Sequence, residues 1–71
     1  MPYVHVTLAE GRTLEAKQAL MAAVAEAVHT SIGSDLDSIR VWITEIAPEE
    51  MSVGGVSLAE IRARRAATAD R

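Results

Sequence analysis

The chain begins Met-Pro-Tyr, and a proline in second position has a chemical use that no other residue offers there. Aminopeptidases that remove an initiator methionine act readily when the next residue is small, and proline qualifies. With Met1 removed, Pro2 carries a secondary amine whose ring holds the nitrogen lone pair in a defined direction. With Met1 retained, the same atom is a tertiary amide nitrogen without basicity. An ordinary chain-terminal amine has a pKa of about 7.7–8.0, and a secondary amine is somewhat more basic, so a neutral-pH base needs that value lowered by roughly 1–2 pH units. An apolar pocket with cationic neighbours pushes in that direction. Such a nitrogen can take a proton and give it back. The plainer reading of Pro2 is an unprotected chain end.

The elements that must position this proline are legible from periodicity. Tyr3 to Leu8 alternates, with Val4, Val6 and Leu8 on one face and Tyr3, His5 and Thr7 on the other, which predicts a strand. Glu10-Gly11-Arg12 breaks it, and Thr13 is placed to cap a helix with Glu15 near its positive end. Leu20, Val24, Ala27, Val28 and Ile32 recur at helical spacing, and Gly33 stands where a C-terminal cap belongs. Residues 34–38 read as a turn. From Ile39 to Ile46 alternation resumes, with Ile39, Val41 and Ile43 opposite Arg40, Trp42 and Thr44. Pro48 ends this strand, the segment 52–57 reads as a glycine-bearing hairpin, Leu58 to Ala67 is compatible with a helix, and residues 66–71 are expected to fray.

Strand, long helix and strand make one βαβ unit with parallel strands and a right-handed crossover. The predicted class is α+β: a single domain over residues 1–71, with a short C-terminal hairpin and helix. One helix covers one sheet face, whereas parallel sheets are buried on both. A chain of 71 residues also lies below the size at which one core suffices. There is no cysteine for bridges, and His5 and His29 stand far apart without an acidic partner at ligand spacing, so no metal is expected. Self-association is the remaining remedy, and the sequence predicts a homo-oligomer.

Composition excludes other classes. A net charge of −3 gives no general attraction to nucleic acid, and Arg62, Arg64 and Arg65 read as the solvated end of a helix. No apolar run approaches the ~20 residues of a membrane helix, and the N-terminus has no basic and apolar signal pattern. A cytoplasmic setting follows as the expectation.

Proline after methionine, YVHVTL, EGRT, a helix of this length, RVWITE and then SVGG, in that order, resemble the 4-oxalocrotonate tautomerase family from Pro2 to about Arg62. The resemblance implies an amino-terminal proline that acts as base and acid on a small enol or keto acid. It also implies two arginines, matched by Arg12 and Arg40, that grip the carboxylate and carbonyl oxygens of that anionic substrate. It implies a βαβ protomer assembled into dimers or a trimer of dimers. Guanidinium groups suit both tasks, since they bind carboxylates in two-pronged fashion and stabilise charge that develops on oxygen.

Two departures matter. Met51 stands where members of the family carry a phenylalanine in the pocket wall; methionine is apolar and adaptable, so the wall is kept and its shape altered. Val53 stands where the related trans-3-chloroacrylate dehalogenases carry a water-activating glutamate, which disfavours hydrolytic dehalogenation. Geometry adds a requirement: at ~3.3 Å per residue, six strand residues put Arg12 about 20 Å from Pro2, so Arg12 must come from a neighbouring copy. Arg40 is open to its own Pro2 or a neighbour's. The rival from another class is a non-catalytic oligomeric scaffold or small-molecule binder of the same fold.

Overall fold

The computed structural model describes residues 1–69. Strand β1 spans Tyr3–Ala9, helix α1 Leu14–Ile32 and strand β2 Arg40–Ile46; β3 (Ser52–Val53), β4 (Val56–Ser57) and helix α2 (Leu58–Ala69) follow. β1 and β2 are parallel neighbours, in register from Tyr3 against Arg40 to Ala9 against Ile46. The βαβ unit and the C-terminal hairpin and helix are those the periodicity predicts. α2 continues to Ala69, past the expected end of its pattern at Ala67; the rest of the tail expected to fray, residues 70 and 71, lies outside the described residues.

Local chemistry accounts for the helix ends. The Thr13 side chain accepts a hydrogen bond from the Ala16 N–H at 3.1 Å, satisfying one of the donors that a helix start leaves free. At the other end Gly33 turns left-handed with φ 76°, and its N–H donates to the His29 carbonyl at 3.0 Å. His29 Nδ1 lies 2.6 Å from the Ser34 carbonyl, which gives this histidine a structural place in the same turn.

The helix faces the sheet with Leu20, Met21, Val24, Ala25 and Val28, all half-buried. Ala27 and Ile32, which the spacing placed in that stripe, are exposed, Ile32 at 68%. Ala27 lies at the edge of the stripe, next to half-buried Val28; for Ile32 the reason is length. Nineteen helical residues span about 28 Å at 1.5 Å per residue, whereas seven strand residues span about 23 Å. The last turn overhangs the sheet and has nothing to cover it.

Ile39 is the one buried hydrophobic residue among those described, at 8% exposure. A compact chain of this length has a radius of gyration of about 11 Å; here it is 16.1 Å. The accessible surface is 5236 Å², against about 4,300 Å² for a compact monomer of this mass. Two features go with these excesses, an open sheet face and an arm built from β3, β4 and α2. The open face carries Tyr3, His5, Thr7, Arg40, Trp42 and Thr44, all exposed. His5 stacks on Trp42 there, with centroids 5.1 Å apart and planes 10° apart, and its Nε2 lies 2.7 Å from the Thr44 hydroxyl.

Candidate active site

Pro2 precedes β1 and is half-buried. Its carbonyl accepts a hydrogen bond from the Arg40 N–H at 3.0 Å, which extends the parallel ladder one step beyond Tyr3. Arg40 is held there by what comes before it. Ser38 and Ile39 close a 3-10 turn through their N–H groups to Asp35 and Leu36, at 3.0 and 3.1 Å, and buried Ile39 pins the strand's start. The Arg40 guanidinium spends one N–H on the Asp37 carbonyl at 2.8 Å. Within one protomer the main chain of Arg40 therefore lies beside that of Pro2.

Arg12 lies at the other end of β1. Glu10 continues the ladder through its N–H to the Ile46 carbonyl at 2.9 Å, and Gly11 then turns the chain with φ 132°, a conformation that side-chain-bearing residues rarely adopt. Arg62 of α2 donates to the Glu10 carbonyl at 3.1 Å and ties the arm to this turn. Arg12 itself is exposed and makes no hydrogen bond or ion pair among the described residues. A strand of about 23 Å separates it from Pro2.

Met51 is half-buried and closes the 3-10 turn Pro48–Glu50; its carbonyl accepts the N–H of Leu58 at 2.8 Å. It opens the hairpin, whose Gly54 and Gly55 both have positive φ, 61° and 86°, as a two-residue turn of that hand requires. The hairpin leaves β2 at the Arg12 end. One protomer thus brings Pro2 and Arg40 together and keeps Arg12 and Met51 away from them.

A cavity of about 250 Å³ opens elsewhere, between the first turns of α1 and β2. Leu14, Met21, Trp42 and Ile43 line it, and Lys17 and Glu45 pair across it at 2.8 Å. It includes none of Pro2, Arg12 and Arg40, and it follows from one-sided packing of the helix on the strand. No group of three or more potential metal-ligating side chains occurs among the described residues, and no helix there is long and apolar enough to cross a membrane. Tyr3 stands across the ladder from Arg40, a register invisible in one strand taken alone.

A βαβ protomer with a proline at its start, hydrogen-bonded through its carbonyl to the main chain of an arginine, defines a class. The family model described as "Tautomerase enzyme" matches residues 2–61, and the chain belongs to this family of isomerases. It is similar to a 2-hydroxymuconate tautomerase of Pseudomonas putida, 37% identical over 62 residues, 87% of this chain and 98% of that one. Among solved structures it is similar to TomN, a 4-oxalocrotonate tautomerase homologue in the tomaymycin biosynthetic pathway. That likeness has a TM-score of 0.84 and 42% identity, over 87% of this chain and 95% of TomN. A heterohexamer 4-oxalocrotonate tautomerase from Chloroflexus aurantiacus J-10-fl gives a TM-score of 0.82 at 35% identity, over 87% of this chain and 100% of that one.

Proposed function

We propose that the chain, once Met1 is removed, isomerises small enol or dienol carboxylates of the 2-hydroxymuconate kind to 2-oxo acids, with Pro2 as the proton carrier. The ring nitrogen takes the enol O–H proton, the freed electrons form the carbonyl, and the conjugated carbon receives a proton from the prolinium. No atom is gained or lost, and the step calls on no cofactor. Arg40 steadies the charge that develops on oxygen, and Arg12 of a second copy grips the carboxylate. Met51 supplies apolar wall, which keeps water from stabilising the protonated amine. The whole chain acts as one tautomerase-like domain in the cytoplasm, as a homo-oligomer of two copies or of three such pairs.

The observation that supports this reading is the 3.0 Å bond from the Arg40 N–H to the Pro2 carbonyl, which makes the two residues main-chain neighbours across the ladder. The exposed, unengaged Arg12 at the opposite end of β1 supports a site completed across copies. The test is ketonisation of 2-hydroxymuconate and phenylenolpyruvate by protein whose intact mass lacks Met1. Pro2→Ala is expected to lower kcat/KM by about 10²–10⁴-fold, the usual worth of a positioned acid–base group. Equal rates for the two proteins would instead favour a non-catalytic binder of this fold.

A further inference from the structure

We propose that Tyr3 is a further substrate-contacting residue of this site, its phenol donating a hydrogen bond to an anionic oxygen of the bound enol acid beside Arg40. The inference rests on the reading of Pro2 as proton carrier. Tyr3 follows Pro2 directly and pairs with Arg40 across the ladder, so the two side chains stand on the same sheet face on strands about 4.8 Å apart. Both are exposed, Tyr3 at 66%.

The phenol turns back toward the chain's start. Its hydroxyl lies 4.0 Å from Met1 Sδ, a weak acceptor, and has no other partner among the described residues. Met1 is also the residue whose loss makes the Pro2 nitrogen basic. The cleavage that frees the ring nitrogen therefore releases the phenol from its sulfur partner. What stands at this end of the sheet is then a secondary amine, an unengaged hydroxyl and a guanidinium with one N–H committed to the Asp37 carbonyl.

The chemistry of the three is complementary. The tyrosine ring contributes apolar surface to the open face, and its polar tip serves an oxygen anion without adding a second formal charge. A hydrogen bond to a charged group is shorter and stronger than a neutral one. The oxygen it serves is either at the enol and adjoining carboxylate or at the distant carboxylate of a diacid, and two substrates separate these.

The test uses mature protein, checked by intact mass, with phenylenolpyruvate as the monoacid and 2-hydroxymuconate as the diacid. Tyr3→Phe keeps the ring and deletes the hydroxyl. With assembled mass unchanged, kcat/KM is expected to fall about ten- to a hundredfold, the usual worth of a hydrogen bond to a charged group. A fall on both substrates assigns the bond to the enol end; a fall on the diacid alone assigns it to the distant carboxylate. Rates within twofold of wild type on both, while Pro2→Ala is inactive, overturn the role of Tyr3 and leave Pro2 standing. Activity retained by Pro2→Ala overturns both readings. If Tyr3→Phe does not assemble, Tyr3→His and Tyr3→Leu are compared: a tenfold advantage for histidine, which keeps a donor, supports the proposal, and equality overturns it.

Discussion

On one face of the β1–β2 sheet, Val4, Val6, Val41 and Ile43 are half-buried on the α1 side; on the other, Tyr3, His5, Thr7, Arg40, Trp42 and Thr44 are all exposed. The covered face follows the ordinary logic of an amphipathic helix on a sheet. The open face is mixed: an aromatic stack, a tyrosine and one guanidinium, with the proline at its edge. Trp42, stacked on His5, keeps 44% of its surface in water in the protomer, area that a second layer can still cover. One face holds the fold together, and the other, left open in the protomer, is the face on which the proposed assembly and substrate contacts rest.

The contrast can be broken or sharpened by substitution on each side. After Pro2→Ala, the largest effect is expected from Arg12→Ala, which removes a carboxylate grip supplied from the far end of β1. It should cost about 10²–10³ in kcat/KM, within the range for truncating one partner of a buried, hydrogen-bonded charge pair. Mixing and reassembling Arg12→Ala with Pro2→Ala chains should restore part of the activity, because some sites then draw an intact residue from each. No recovery in an assembled mixture would place both residues in one copy's site.

Next in size is Trp42→Asp on the open face. Loss of a central aromatic contact should weaken self-association by about thirtyfold or more, read by sedimentation at fixed concentration. An unchanged mass would mean that copies meet elsewhere. On the covered face Ile43→Ala should leave assembly intact in form and cost about 2 kcal/mol of stability, at the low end for such a truncation because the residue is only half-buried. Denaturant titration measures it. Smallest is Thr13→Ala, which deletes the cap on Ala16 and should cost about 1 kcal/mol with little effect on turnover.

Much of this architecture was legible beforehand because it is local. The Thr13 and Gly33 caps, the break at Gly11 and the Gly54-Gly55 turn each depend on a few neighbouring residues. Of the proposed site, Pro2, Arg12 and Arg40 stand out by residue type and by resemblance to a family. Tyr3 does not, because its alternation reads the same in any strand. The outward position of Ile32 was also hidden, since periodicity says which residues share a stripe but not where the sheet beneath it stops.

By itself the sequence determined the strand–helix–strand order, the one-sided character of the helix and the presence of a proline able to become a terminal amine. These follow from side-chain period and backbone preference. Only the tertiary structure decided that Pro2 and Arg40 meet within one chain, that Arg12 is carried to the opposite end, and that Tyr3 stands across from Arg40. Parallel register is set by how the helix docks between two strands far apart in sequence, and no local pattern encodes that distance.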